Sequence, residues 1–291
     1  MKQELSILIP TYDGDCRAMV TELQQQAQDI GGLTYEIIVA DDGSPERRFV
    51  ELCREVERLP HCRFIDRGVN SGRAAIRNFL AREARYEWLL FLDCDMSIPS
   101  CRFLSDYLDA DVADIAYGGY RPGPGDAANL RYRYEKACEP MHRADERGKH
   151  PYQHFHTCNF MVRRQLMLDH PFDERFRHYG YEDVLFGKQL RIAGITIVHL
   201  DNPAGFFTYE DNAHFVSKTE EGLRTLHLFS NELQGYSQML DFVARLSPTL
   251  RRLLRLAHSL CGPFERRLLC GSHPSLRLFK LYKLGYFLSL K

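Results

Sequence analysis

Four short apolar runs recur in the first hundred residues: 5–10 (LSILIP), 35–42 (YEIIVADD), 62–67 (CRFIDR) and 87–95 (EWLLFLDCD). Each is too short for a buried helix and suits a strand covered on both faces. Between them the apolar residues fall three or four apart, as in Met19, Leu23, Ala27 and Ile30, then Phe49, Leu52, Val56 and Leu59. This β-α-β-α-β-α-β alternation predicts an α/β fold, a mostly parallel central sheet flanked by helices with right-handed crossovers. Ligands of such sheets bind beyond the carboxyl ends of the strands. The polar residues that close the runs, Thr11-Tyr12-Asp13, Asp41-Asp42-Gly43-Ser44, Asp93 and Asp95, should therefore share one rim.

Further along, 114–120 reads as a fifth strand, 121–130 as a turn-rich mobile loop and 129–147 as a helix. Residues 156–164 read as a strand, 181–194 as a helix ended by Gly194, and 195–200 as another strand. At 291 residues with 44% hydrophobic content, the chain can build one large domain with an appendage. No apolar run nears the roughly 20 residues of a membrane span, and the N-terminus lacks a leader pattern. The nine cysteines form no CxxC pair and leave one over in any full pairing. A reducing cytoplasm is the expected home.

Asp93 and Asp95, at i and i+2, would point the same way from an extended strand. Burying both charges unpaired is prohibitive, so the strand ends there or a cation sits between them. A hard divalent ion such as Mg²⁺ or Mn²⁺, completed by phosphate oxygens, meets the demand. Ordinary turn aspartates in a solvated loop are the alternative.

The segments ILIPTYDGD, IIVADDGSPE, NSGRAAIRN and LLFLDCD, in this order, resemble the nucleotide-binding half of the inverting family-2 glycosyltransferases of the GT-A fold. The resemblance covers about residues 5–215. It implies a catalytic domain over 1–235, with 1–120 binding a nucleotide-sugar, most simply a UDP-sugar, and 121–235 facing the acceptor. Pro10, Thr11, Tyr12 and Asp13 would line the donor pocket, and Asp41 or Asp42 would bond uracil or ribose. Gly72 would supply a turn, and Arg73 or Arg77, the latter matching the family's Ala-Arg-Asn signature, would approach the diphosphate. Asp93 would lie near the ribose, Asp95 would hold the metal, and Cys94 between them would be a small buried spacer.

The segment RHYGYEDVLFGKQL, 177–190, resembles the acceptor side of the same enzymes. On that match Asp183 is the general base and Glu182 binds the acceptor sugar, because a poor hydroxyl nucleophile needs a placed carboxylate to take its proton. Two acids complementing a helix dipole are the plainer alternative. His199 is a candidate third metal ligand, although Phe206 and Phe207 stand where relatives place another histidine. His150, His154 and His156 match no zinc spacing and are assigned to an acceptor loop or to nothing.

Residues 236–291 form a predicted helical extension, and 245–291 hold ten Lys or Arg against Glu265 alone, so this stretch carries +9 and the remainder −10. Leu250, Leu253, Leu254, Ala257 and Cys261 share a face beside Arg251, Arg252 and Arg255. Such a helix suits an anionic membrane surface or packing on the domain. No recognised module accompanies the charge, so nucleic acid is not expected. The expected function is metal-dependent inverting transfer of a hexosyl or N-acetylhexosaminyl group to a glycan or lipid-linked glycan, peripherally at the inner membrane face. A sugar-1-phosphate nucleotidyltransferase would need a Gly-rich loop that PTYDGDCR lacks. A non-catalytic sugar-nucleotide binder would need no base.

Overall fold

The computed structural model describes residues 2–290; Met1 and Lys291, the last of the ten tail cations, lie outside it. The strands are β1 (Glu4–Thr11), β2 (Thr34–Asp41), β3 (Cys62–Asp66), β4 (Trp88–Leu92), β5 (Met96–Ser97), β6 (Ile115–Tyr117), β7 (Tyr120–Pro122), β8 (Asn159–Arg163), β9 (Ile197–His199) and β10 (Ala204–Phe206). The main sheet runs β3-β2-β1-β4-β8-β6-β9. All are parallel except β8, which runs antiparallel between β4 and β6. The four strands expected in the first hundred residues are present. A small sheet, β5-β10-β7, was not foreseen.

The helices as far as residue 192 are α1 (Arg17–Asp29), α2 (Arg47–Arg54), α3 (Arg73–Glu83), α4 (Phe103–Asp109), α5 (Leu130–Cys138), α6 (Ala144–Arg147), α7 (Arg164–Asp169) and α8 (Glu182–Ile192). Next come α9 (Asn212–Leu228), α10 (Ser230–Leu233), α11 (Gln238–Arg245), α12 (Pro248–Leu269) and α13 (Leu276–Ser289). Alternate residues of the central strands feed the two faces. Ile7, Ile9, Val39 and Leu90 meet Val20 and Leu23 of α1 on one side. Leu8, Ile38 and Phe91 meet Ile76 and Leu80 of α3 on the other. Two covered faces explain why these strands read as continuous apolar runs.

Two boundaries differ from the sequence expectation. The helix predicted over 129–147 is broken: α5 ends at Cys138, a 3-10 turn spans Glu139–His142, and α6 follows. Pro140 lacks the N–H that a continuing helix would use. The strand predicted over 114–120 divides at Gly118-Gly119, so that β6 joins the main sheet and β7 the small one. Gly119 takes φ +80°, where a side chain would be strained.

The tail is helical, as expected. Helix α13 packs on the domain, with Phe279 and Tyr282 against Leu130, Phe215 and Val216, and with Phe287 against Phe176 and Leu223. Among the described residues no helix is long and apolar enough to cross a membrane.

Candidate active site

The carboxyl ends of β1, β2 and β4 form the rim, because their parallel register brings Thr11 opposite Asp41 and Leu8 opposite Phe91. Tyr12 leaves β1 exposed at this rim, while Thr11 is buried. The Asp13 N–H donates to Ser44 Oγ at 2.8 Å, tying the loop after β1 to the loop after β2. Gly43, at φ +76°, crosses the 69–70 backbone so closely that a Cβ would lie 2.5 Å from Asn70 N. Only glycine fits that crossing.

Asp41 and Asp42 turn inward. Asp41 accepts from the Gly43 and Ser44 N–H groups at 3.1 and 2.9 Å and from the Ser44 hydroxyl. Asp42 accepts from Arg67 at 2.8 Å, the Ser71 hydroxyl at 2.7 Å and the Gly72 N–H at 2.9 Å. These bonds use most of what two carboxylates can accept. Asp41 thereby shapes its own loop, and Asp42 ties the loop after β2 to the loop before α3. Gly72 does supply the expected turn, at φ +91°, immediately before α3.

Arg77 departs from expectation. It is 1% exposed, with Nη2 at 2.5 Å from Asp93 Oδ1 and Nη1 at 3.7 Å from Glu182 Oε1. Its guanidinium is buried beside these acids, with Nη1 also donating to Arg73 O at 3.2 Å, and is not open to a diphosphate. Arg73, one turn earlier, keeps an exposed face and lies 5.0 Å over the Tyr179 ring. Although burial alone would lower its pKa, the charges of Asp93, Glu182 and Asp95 hold the Arg73 guanidinium above its usual range. Of the two arginines, Arg73 is the one left exposed.

Asp95 stands exposed just beyond β4. The crowding protein around it and then the charge of Asp93 push its carboxyl up, while Arg73 and Lys218 pull it down. Two like-charged carboxylates so placed fit a divalent cation, which would relieve their repulsion. Lys218, on α9, was not found from the sequence; its Nζ lies 4.8 Å over the other contact of Arg73, the Tyr179 ring. Cys94 points into the core, where its Sγ would meet a Cβ on Gly14 at 2.8 Å, and burial pushes the thiol up to about 12.

His199 does not fit the ligand role. Its Nδ1 accepts from Arg147 at 3.0 Å and its Nε2–H donates to Pro151 O at 3.0 Å, so both ring nitrogens are occupied. The expectation of a third ligand is corrected accordingly. No cluster of three or more His, Cys, Asp or Glu side chains able to hold a metal occurs among the described residues. A cation at Asp93 and Asp95 would complete its shell with phosphate and water, as Mg²⁺ commonly does.

A second group of carboxylates begins where Gly180 (φ +94°) and Tyr181 (φ +69°) turn the chain into α8. Glu182 and Asp183 occupy its first turn, the end that favours negative charge. Asp183 accepts from the Val184 N–H at 2.8 Å and from His156 Nδ1–H at 3.0 Å. Burial would raise its pKa, but the His156 hydrogen bond and charge prevail and hold it below the usual carboxylate range. Glu182 moves the other way, raised by burial and by Asp183 against the pull of Arg73 and Arg77. Neighbouring carboxyls driven apart in this way divide into an ionised base and a group that keeps its proton more readily. His156, assigned from the sequence to an acceptor loop or to nothing, is the partner of the candidate base.

A seven-stranded α/β sheet with an Asp-x-Asp at the β4 rim and a carboxylate pair opening a later helix is the GT-A arrangement. The chain matches the family described as Glycosyl transferase family 2 over residues 6–170 and belongs to it. It is 33% identical to a chondroitin synthase of Escherichia coli over 111 residues, covering 38% of this chain and 16% of that one. It is 26% identical to a chondroitin synthase of Pasteurella multocida over 230 residues, covering 65% and 23%. The chain thus spans less than a quarter of either relative. Among solved structures, the mannosyltransferase PcManGT from Pyrobaculum calidifontis, in complex with GDP-Man and Mn²⁺, superposes with TM-score 0.57 at 12% identity, covering 99% of this chain and 85% of that one. S. aureus TarS 1-349 with UDP-GlcNAc gives TM-score 0.52 at 16% identity, covering 99% and 90%. These likenesses show the fold.

Proposed function

We propose that the chain transfers a sugar, with inversion, from a nucleotide-sugar to a hydroxyl of a glycan or lipid-linked glycan. A UDP-sugar is the donor that the Asp-x-Asp resemblance favours, and TarS and the mannosyltransferase carry sugar nucleotides in the same fold. The observation that carries the reading is one connected line of charges. Asp95 lies beside Asp93, Asp93 pairs with Arg77, Arg77 reaches Glu182, and next to Glu182 stands Asp183 on His156. Donor and acceptor groups are thereby held in one frame.

In this reading Pro10, Thr11, Tyr12 and Asp13 wall the base pocket, with the loops held by Asp41 and Asp42. Arg73 and Lys218 flank the diphosphate. A Mn²⁺ or Mg²⁺ held by Asp95, with Asp93 beside it, would supply charge stabilisation for the leaving nucleoside diphosphate. Glu182 binds the acceptor sugar. The carboxylate of Asp183 takes the acceptor proton as the new C–O bond forms at the anomeric carbon. The old C–O bond breaks on the opposite face, its electron pair leaves on the diphosphate, and the configuration inverts.

The test is release of nucleoside diphosphate from a panel of UDP- and GDP-sugars, with and without an added glycan acceptor. Acceptor-stimulated release that Asp183→Asn abolishes is the expected result. Stimulation undiminished in Asp183→Asn would remove the base assignment, and donor binding without any turnover would favour a non-catalytic sugar-nucleotide binder.

A further inference from the structure

Helix α12 has two apolar sides, and only one is covered. Its inner side packs through Gly262 and Leu269, with the His258 ring 5.2 Å from that of Tyr282 on α13. Glu220 of α9 clamps this arrangement, accepting from Arg266 at 2.8 Å and from Tyr282 at 2.6 Å. On the opposite side Leu250, Leu253, Leu256, Leu260, Phe264 and Leu268 follow one another at three- and four-residue steps, 42% to 75% exposed. Of the face read from the sequence, Leu250, Leu253, Ala257 and Cys261 do lie outward, whereas Leu254 turns partly inward. The outward stripe extends over about 27 Å of helix at 1.5 Å per residue.

A contiguous apolar stripe of this length on a docked helix marks a surface that meets another phase or partner. The surrounding charge selects which. Arg252 and Arg267 on α12, and Arg277 and Lys280 nearby, are exposed and have no salt-bridge partner among the described residues. They belong to the stretch that carries +9. Pairing this face with its copy in a second chain would set like charges against one another.

We infer that α12 lies flat on an anionic lipid surface, its leucine and phenylalanine stripe in the acyl boundary and its arginines among the headgroups. The helix does not cross the bilayer, being too short of apolar residues to do so. This inference is independent of the proposed transfer chemistry.

The full chain is sedimented with phosphatidylcholine vesicles, with and without phosphatidylglycerol, at low and high salt. Binding is expected only with the anionic lipid and should weaken as salt rises. Leu256→Glu combined with Leu260→Glu should reduce partitioning about tenfold or more. Arg252→Gln should reduce it about fivefold, one cation's share. These side chains are exposed, so thermal unfolding and nucleotide-sugar turnover should stay at wild-type values. If a variant does misfold, the lipid and salt series on the wild type decides alone. Absence of vesicle binding by the wild type overturns the inference. So does equal binding by the leucine variant, or a concentration-dependent dimer that this variant dissolves while lipid is ignored.

Discussion

Asp183 and Glu182 are adjacent in the chain yet meet opposite surroundings, and that difference decides what each can do. His156 and the Val184 N–H stabilise the charge on Asp183, while burial and its neighbour favour the proton on Glu182. The sign fixes a pH dependence. A carboxyl held below its ordinary value stays ionised as pH falls, so transfer should be lost only when pH drops through that lowered pKa. Its contribution to stability is likewise present above the unfolded-state value and lost on the same descent. Removing the bond with His156→Phe should move the acid limb of the kcat/KM profile upward, and His156→Gln should restore part of the shift. A profile that stays in place while activity falls would make His156 a packing residue. Asp183→Asn should lower kcat by about 10²–10⁴-fold, the usual range for a general base, with donor affinity kept. The sequence singled out Asp183 and Glu182 through the resemblance of 177–190 to the family's acceptor-side segment; their place at a helix start alone would have suggested only dipole pairing. His156 was not legible, since a contact across 27 residues, with β8 and α7 between its ends, leaves no local spacing to read.

At the level of elements, α3 joins the two halves of the site through Arg77. This buried guanidinium is what allows Asp93 at the end of β4 and Glu182 at the start of α8 to face each other. Arg77→Met would leave both acids near one another without their cation. The expected cost is about 3–5 kcal/mol, read as a lower midpoint in denaturant, with part recovered at acidic pH where the acids protonate. Wild-type stability in this variant would show that the bridge is not formed in solution. The sequence pointed to an arginine here but not to its partners, because pairing across three elements is a property of the fold. The strands and helices of the first hundred residues were legible because their periods are local. The insertion of β8 antiparallel between β4 and β6 was not, since strand order depends on long-range pairing. The breaks at Pro140 and Gly118-Gly119 do have local signals, a missing N–H and a positive φ, and these mark where the helix and strand expectations were drawn too long.

Across the whole molecule, the proposed donor rim lies on the sheet and the proposed acceptor group at the start of α8, while α9 lies against the tail. Lys218 of α9 acts electrostatically on Asp95, and two residues on, Glu220 anchors α12 and α13. The charge sorting visible in the sequence thus corresponds to a spatial division, with an acid-lined site in the domain and a basic, apolar-faced helix beside it. In the proposed function Asp95 and a divalent cation together hold a nucleotide-sugar at the sheet rim. Thermal unfolding of the full chain, with UDP- and GDP-sugars in the presence and absence of Mn²⁺, tests it most directly. At ligand about 100-fold above Kd, linkage stabilises by about 2.7 kcal/mol, enough to read clearly. A rise in Tm is expected that requires both one sugar nucleotide and Mn²⁺ and disappears in Asp95→Ala. A rise that is independent of metal, or that persists undiminished in Asp95→Ala, would contradict it, as would no rise with any donor.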